Sequence, residues 1–142
     1  MMSSFSVLLV EDDAAHAEIT RRNLEELGTG ACAFVHVRDG QAALDHLQAA
    51  RMASTLPDLI LLDLRLPRLD GLEVLTQVKS HQDLKRIPVV VLTTSEAEQD
   101  VASAYERGAN SYLVKPLDHA QYRALTHTLR CYWFGWNRVA HS

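Results

Sequence analysis

Residues Leu59 to Gly71 read LILLDLRLPRLDG, an unbroken aliphatic run, then an aspartate, then a loop punctuated by Pro67 and Gly71. The run does not alternate with polar residues, so both of its faces require cover, as in a parallel strand flanked by helices. Pro67 and Gly71 break the strand pattern and turn the chain toward a new helix. Asp63 therefore stands where a buried strand surfaces, and in open parallel sheets chemistry gathers at the carboxyl ends of the strands. A single aspartate there is equally a polar strand end or a helix N-cap, so the residues at other strand ends must decide.

Working outward, Val7 to Val10 (VLLV) is a second apolar run, and it ends in Glu11, Asp12 and Asp13, adjacent acids that repel one another. Asp13 is explained as the N-cap of the next helix. Glu11 and Asp12 are not, and crowding of this kind calls for a cation. The helix carries His16, Ile19, Thr20, Asn23, Leu24 and Leu27 on one face and stops at Gly28. Gly28-Thr29-Gly30 follows a helix, where a nucleotide-binding glycine loop must follow a strand, so it is set aside. Ala31 to Val37 alternates weakly, as an edge strand does. Arg38-Asp39-Gly40 then opens a helix through Ala43, Leu44 and Leu47 that frays between Arg51 and Leu56.

Beyond Gly71, the spacing of Leu72, Leu75 and Val78 predicts a helix to about Ser80. Val89 to Leu92 is a further buried strand, ending in Thr93-Thr94-Ser95. Glu96 to Arg107 forms a helix with a thin apolar face at Val101, Ala102, Ala104 and Tyr105. Ser111 to Val114 is the last strand, closed by Lys115-Pro116. A final helix from about Asp118 carries Tyr122, Leu125, Leu129, Trp133 and Trp136. Strand and helix thus alternate throughout, which favours a parallel sheet with helices on both faces and right-handed crossovers.

At 142 residues the chain has the size of one domain, expected to span 1–142 with 131–142 extending the last helix. A formal charge of −4 without any Lys/Arg run argues against nucleic acid as a partner. Cys32 and Cys131 stand in no metal or redox spacing and are expected to be small packing residues in a reducing compartment. The histidines never fall at helical zinc-ligand spacing to one another. The N-terminal apolar run is too short for a signal peptide or a membrane span, so no membrane association and a cytoplasmic location are expected.

In one parallel sheet the runs closing at Val10, Leu62, Leu92 and Val114 end on a single edge. That edge gathers Glu11, Asp12, Asp63, Thr93 and Lys115: three carboxylates, a hydroxyl and an ammonium. Clustered carboxylates without His or Cys make a hard oxygen site suited to Mg²⁺ with waters and phosphate oxygens. An aspartate beside such a cation can act as nucleophile toward a phosphoryl group, with Lys115 neutralising charge on the transferred oxygens and Thr93 donating to one of them.

These residues resemble the receiver domains of two-component response regulators, over about Val7 to Leu129, through VLLVEDD, DLRLPRLDG, LTTS and LVKP in the family's order and spacing. The resemblance implies a flavodoxin-like (βα)5 doubly wound sandwich with a five-stranded parallel sheet in the order 2-1-3-4-5. It implies Asp63 as phosphoacceptor, and Mg²⁺ held directly by Asp12, Asp63 and the main-chain carbonyl of Arg65, with Glu11 acting through water. Thr93 is then the switch hydroxyl, Tyr112 the aromatic whose rotamer follows it, and Lys115 the phosphate-pairing ammonium, joined to Pro116 by a cis bond. Two positions depart from the family pattern: Glu11 where Asp is frequent, and Arg65 beside the path of a hydrolytic water, which bears on the lifetime of the phosphate.

Such a protein is not an enzyme beyond Mg²⁺-dependent self-phosphorylation and slow self-dephosphorylation. Its phosphoryl group is expected from a sensor histidine kinase. The long link before Leu59 and the tail YWFGW (Tyr132 to Trp136) look similar to the single-domain regulators that serve bacterial phytochromes. With no second domain after the fifth helix, the output is expected to be intermolecular, through a homodimer formed by the fourth helix, fifth strand, fifth helix and the C-terminal aromatics. Two alternatives are weaker. A haloacid-dehalogenase-like phosphatase needs a second Asp where Arg65 stands, and a flavodoxin-like cofactor binder needs a phosphate-cradling loop where Glu11-Asp12-Asp13 would repel it.

Overall fold

The computed structural model describes residues 5–25 and 32–140. In chain order these form β1 (Phe5–Val10), α1 (Ala14–Glu25), β2 (Cys32–Val37), α2 (Gly40–Met52), β3 (Leu59–Leu62), α3 (Gly71–Ser80), β4 (Val89–Thr93), α4 (Glu98–Glu106), β5 (Ser111–Val114) and α5 (His119–Arg130), followed by a π-helical turn (Cys131–Trp136). The strands pair in parallel in the order β2-β1-β3-β4-β5, the expected doubly wound flavodoxin-like sheet.

The aliphatic runs divide between the sheet faces with period two. Leu8, Val10, Ile60, Leu62, Val89 and Val91 point to one side, where Leu47 of α2 and Val74, Leu75 and Val78 of α3 cover them. Val7, Leu9, Leu59, Leu61 and Val90 point to the other, against Ala17 and Leu24 of α1, Leu129 of α5 and Trp133. Burial on both faces is what the absence of polar alternation predicts. Strand β2 lies at the sheet edge and alternates half-buried Cys32 and Phe34 with exposed Ala33 and Val35.

The loop after β3 is held by close backbone approach. A Cβ on Gly71 would lie 2.3 Å from the Asp63 carbonyl oxygen, and one on Gly40 would lie 1.9 Å from that of Leu69. No side chain fits at either place, so the start of α3 and the start of α2 both press onto the segment that carries Asp63. Asp70 and Asp39 then cap these helices, accepting from the Glu73 and Ala42 amides at 3.1 and 2.7 Å.

Several expectations are corrected. Helix α4 begins at Glu98 instead of Glu96, because Ala97 is extended and donates its N–H to Ser95 Oγ at 3.3 Å. Of its thin apolar face only Ala104 is buried. The last helix does not continue as a regular α-helix: the Asn137 amide bonds the Tyr132 carbonyl, an i→i−5 bond that widens the final turn. Trp133 and Trp136 thereby lose a common face, and they are 8% and 83% exposed. No peptide bond among the described residues is cis, so Lys115–Pro116 takes the trans form that X–Pro bonds generally prefer. Cys131 is exposed with its Sγ 3.5 Å from His127 Nε2, so it packs no core. Leu27, Gly28 and the glycine pair around Thr29 lie outside the described residues. Among the described residues no helix is long and apolar enough to cross a membrane.

Gly71→Ala places a methyl against backbone. We expect it to lower stability by about 1–3 kcal/mol, the usual cost of overpacking, where an unhindered glycine-to-alanine change on a helix would raise it. A urea midpoint equal to or above that of the native chain would contradict the close approach.

Candidate functional site

The parallel register sets the ends of β1, β3 and β4 level with one another. The Asp63 amide bonds the Val10 carbonyl at 3.0 Å, and the Lys115 amide bonds that of Thr93 at 2.7 Å. Glu11, Asp63, Thr93 and Lys115 consequently face one pocket from four strand ends, and all four are buried. Asp12, one residue beyond Glu11, is exposed beside them.

The Lys115 ammonium joins the group. It donates to Glu11 Oε1, to Asp63 Oδ2 at 2.9 Å and to His16 Nδ1 at 3.2 Å. Burial alone would pull the ammonium down, but the Glu11 hydrogen bond and the two carboxylate charges hold it above the ordinary lysine value. Burial likewise works to raise Asp63, and the charge and hydrogen bond of Lys115 outweigh it, leaving that carboxyl below its usual range. Glu11 goes the other way: desolvation dominates and pushes it to about 7 despite Lys115. One cation is thus shared unequally by two buried anions, and the pocket is short of positive charge.

Around Asp63 the remaining partners are sparse. Its Oδ1 accepts the Arg65 amide at 3.2 Å. Thr93 Oγ1 is fully buried and near enough to favour the ionised Asp63, yet it makes no hydrogen bond among the described residues. A buried hydroxyl without a partner costs about 1–3 kcal/mol and marks a place where a further acceptor fits. The Arg65 guanidinium reaches across to Asp100 of α4 at 2.9 Å, and Ser95 Oγ donates to the same Asp100 oxygen at 2.6 Å. Tyr112 of β5, half-buried, donates its hydroxyl to the Ser95 carbonyl at 3.0 Å.

Glu11, Asp12, Asp63, Arg65, Thr93 and Lys115 are therefore at the strand-end edge, while Tyr112 lies within β5 and reaches toward that edge with its hydroxyl. The structure brings Glu11, Asp63, Thr93 and Lys115 together in the pocket and leaves Asp12 and the Arg65 side chain at its surface. Among the described residues no three His, Cys, Asp or Glu side chains converge as a metal-ligand set. The oxygen donors present suit a hard divalent cation that keeps most of its coordination shell as water or phosphate. Two participants were missed from the sequence. His16 was placed on a helix face without a role, and Asp100 carries no local signal that would pair it with a residue 35 positions earlier.

A model of the response regulator receiver domain matches residues 7–127 of the chain. The probable methanogenesis regulatory protein FilR2 of Methanothrix harundinacea is 48% identical over 136 residues, covering 94% of this chain and 86% of that protein. Two crystal structures match with high similarity. The phosphorylated cyanobacterial phytochrome response regulator RcpA gives a TM-score of 0.92 at 35% identity, over 98% of this chain and all of that one. The Mn²⁺-bound form of response regulator Rcp1 gives 0.89 at 38% identity, over 96% and 99% of the two chains.

Lys115→Met would strand two buried carboxylates without a cation. In metal-free protein it is expected to cost about 3–5 kcal/mol, the range for breaking a buried pair from one side. Adding Glu11→Gln should recover part of the loss, because one uncompensated charge is removed. Chemical denaturation of the single and double variants checks both, and a single variant as stable as the native chain would contradict the pairing.

Proposed function

This chain belongs to the response regulator receiver family and is a two-component response regulator, and from that premise we propose that Asp63 is its phosphoacceptor. The observation that carries the proposal is the Lys115 ammonium lying 2.9 Å from the buried Asp63 carboxylate at the meeting point of the strand ends. A carboxylate kept ionised beside a fixed cation is a competent nucleophile, and the same cation offsets charge on the oxygens it attacks.

An Asp63 oxygen attacks phosphorus while the bond from phosphorus to the donor breaks, the donor leaving with the electron pair. With a histidine kinase as donor, the leaving atom is the phosphorylated imidazole nitrogen. Lys115 passes from the carboxylate to a phosphoryl oxygen. Thr93 turns its unpartnered hydroxyl to another, and its movement draws Ser95 and with it the Tyr112 hydroxyl. Asp12, Asp63 and the Arg65 carbonyl would hold Mg²⁺, with Glu11 acting through water; the metal supplies the charge that Lys115 alone does not. That the similar Rcp1 has a Mn²⁺-bound form supports divalent-ion binding by this chain. Beyond this transfer and slow self-hydrolysis we assign no catalysis to the chain.

The likeness to a phytochrome response regulator supports a sensor histidine kinase of the phytochrome class as partner, in the cytoplasm. We also propose that the output is a homodimer through α4, β5, α5 and the C-terminal aromatics. Exposed Tyr105, Tyr132 and Trp136, with an apolar cleft between Leu113, Leu125 and Tyr132, support that face.

Incubated with Mg²⁺ and acetyl phosphate, the native chain should gain one phosphoryl group by intact-mass measurement, and Asp63→Asn none; equal labelling of that variant would sink the assignment. Asp12→Asn should weaken Mg²⁺ binding at least about tenfold by calorimetry, since it removes one of few protein ligands. Unchanged affinity would remove Asp12 from the site.

A further inference from the structure

A lysine ammonium has three protons to donate and nothing to accept with. All three of Lys115 are committed: to Glu11, to Asp63 and to His16 Nδ1. The third is a contact that none of the motifs quoted from the sequence contains. Because an ammonium can only donate, the nitrogen 3.2 Å from it must be a bare acceptor, and the ring proton must sit on Nε2. The competing arrangement, with Nδ1–H turned to Asp13, is disfavoured: Asp13 Oδ2 is 3.8 Å from Nδ1, beyond hydrogen-bond range, and a proton there would point at the ammonium.

The ring is held in this pose from two sides. The His16 amide donates to Asp13 Oδ1 at 3.1 Å, fixing the first turn of α1. The imidazole lies against Tyr122 of α5 with ring centroids 5.9 Å apart, and the Tyr122 hydroxyl shares a hydrogen bond with Thr20 Oγ1 at 2.9 Å. Tyr122 and Thr20 are buried, so the aromatic wall behind His16 is rigid.

We infer that His16 is a positioning residue for Lys115, the anchor that keeps the ammonium aimed when its bond to Asp63 is exchanged for one to a phosphoryl oxygen. Of the three acceptors only Asp63 changes character when phosphorus arrives. Glu11 and His16 stay where they are, so Nζ is retained by two fixed legs and presents the third N–H to the incoming oxygen. Without His16 a single anchor remains, and the ammonium swings about Glu11. The inference rests on the reading of Asp63 as phosphoacceptor.

The variants are His16→Leu, which fills the space without an acceptor, and His16→Asn, whose amide oxygen takes the place of Nδ1. With acetyl phosphate and Mg²⁺, His16→Leu should slow phosphorylation about 3- to 10-fold, the rate equivalent of one hydrogen bond. His16→Asn should recover most of the loss. Nitrogen-detected histidine NMR of the native chain should show Nδ1 bare and Nε2 protonated, and that preference should weaken in Lys115→Met. Equal rates for His16→Leu and the native chain, an equal loss in His16→Asn, or a proton on Nδ1 would each overturn the inference. A native chain that takes no phosphoryl group would sink the Asp63 reading alone, because the tautomer is read without phosphorylation.

Discussion

One ammonium must serve two carboxylates that the sheet has buried. Parallel pairing leaves Glu11 and Asp63 side by side at the ends of β1 and β3, and the helices on both faces keep water from them. Neither could ionise there alone, since desolvation disfavours the charged form. Lys115 resolves the conflict from β5, two strands away from Asp63 in the sheet order. It suits the task better than arginine would, because its charge is compact and its three donors radiate from one atom instead of lying in a plane. The resolution is incomplete, as the upward displacement of Glu11 to about 7 shows. A pocket built this way accepts further positive charge and tolerates the exchange of one anion for another, which are the two events that phosphorylation of an aspartate requires.

Much of this was legible in the sequence, because aliphatic runs without alternation can only be buried strands and a parallel sheet leaves their ends no choice of edge. Val10, Leu62 and Val114 close their strands where the pattern breaks, and Thr93 is the last residue of β4. The burial of Glu11 beside an exposed Asp12 was not legible, because both lie beyond the last residue of β1, where strand alternation no longer applies.

What escaped were interactions with no local period. The Arg65–Asp100 pair joins the loop after β3 to the first turn of α4 through side-chain reach, and neither residue's neighbours announce it. The π-helical turn after α5 is one extra residue in a hydrogen-bonded ring, invisible to a count of three and four, yet it decides that Trp133 packs beneath the sheet while Trp136 stands in solvent. Phe134 then stacks on Phe5 with ring centroids 4.5 Å apart, so part of the aromatic tail belongs to the core of its own chain. His16 fell on a recognisable helical face but shares it with apolar residues, and periodicity cannot separate a core histidine from one that holds an ammonium.

The strength of the links around Asp63 falls in one direction, and that gradient gives the fold a path for a signal. Behind Asp63 lie fully buried aliphatics of β1, β3 and β4, where interior packing density forbids gradual adjustment. In front of it the connections are few: the Arg65 amide, then an Arg65 guanidinium 70% exposed in its pair with Asp100, then Ser95 and the Tyr112 hydroxyl. Such an exposed pair is worth about 0–1 kcal/mol, and α4 itself buries only Ala104. An added charge of the size of a phosphoryl group at Asp63 competes directly for Arg65 and Thr93, and displacement costs least toward α4 and β5. On the proposed reading, the rigid rear of the pocket therefore directs the response to the face where Tyr105 and Tyr112 lie, and no dedicated lever between the two sites is required.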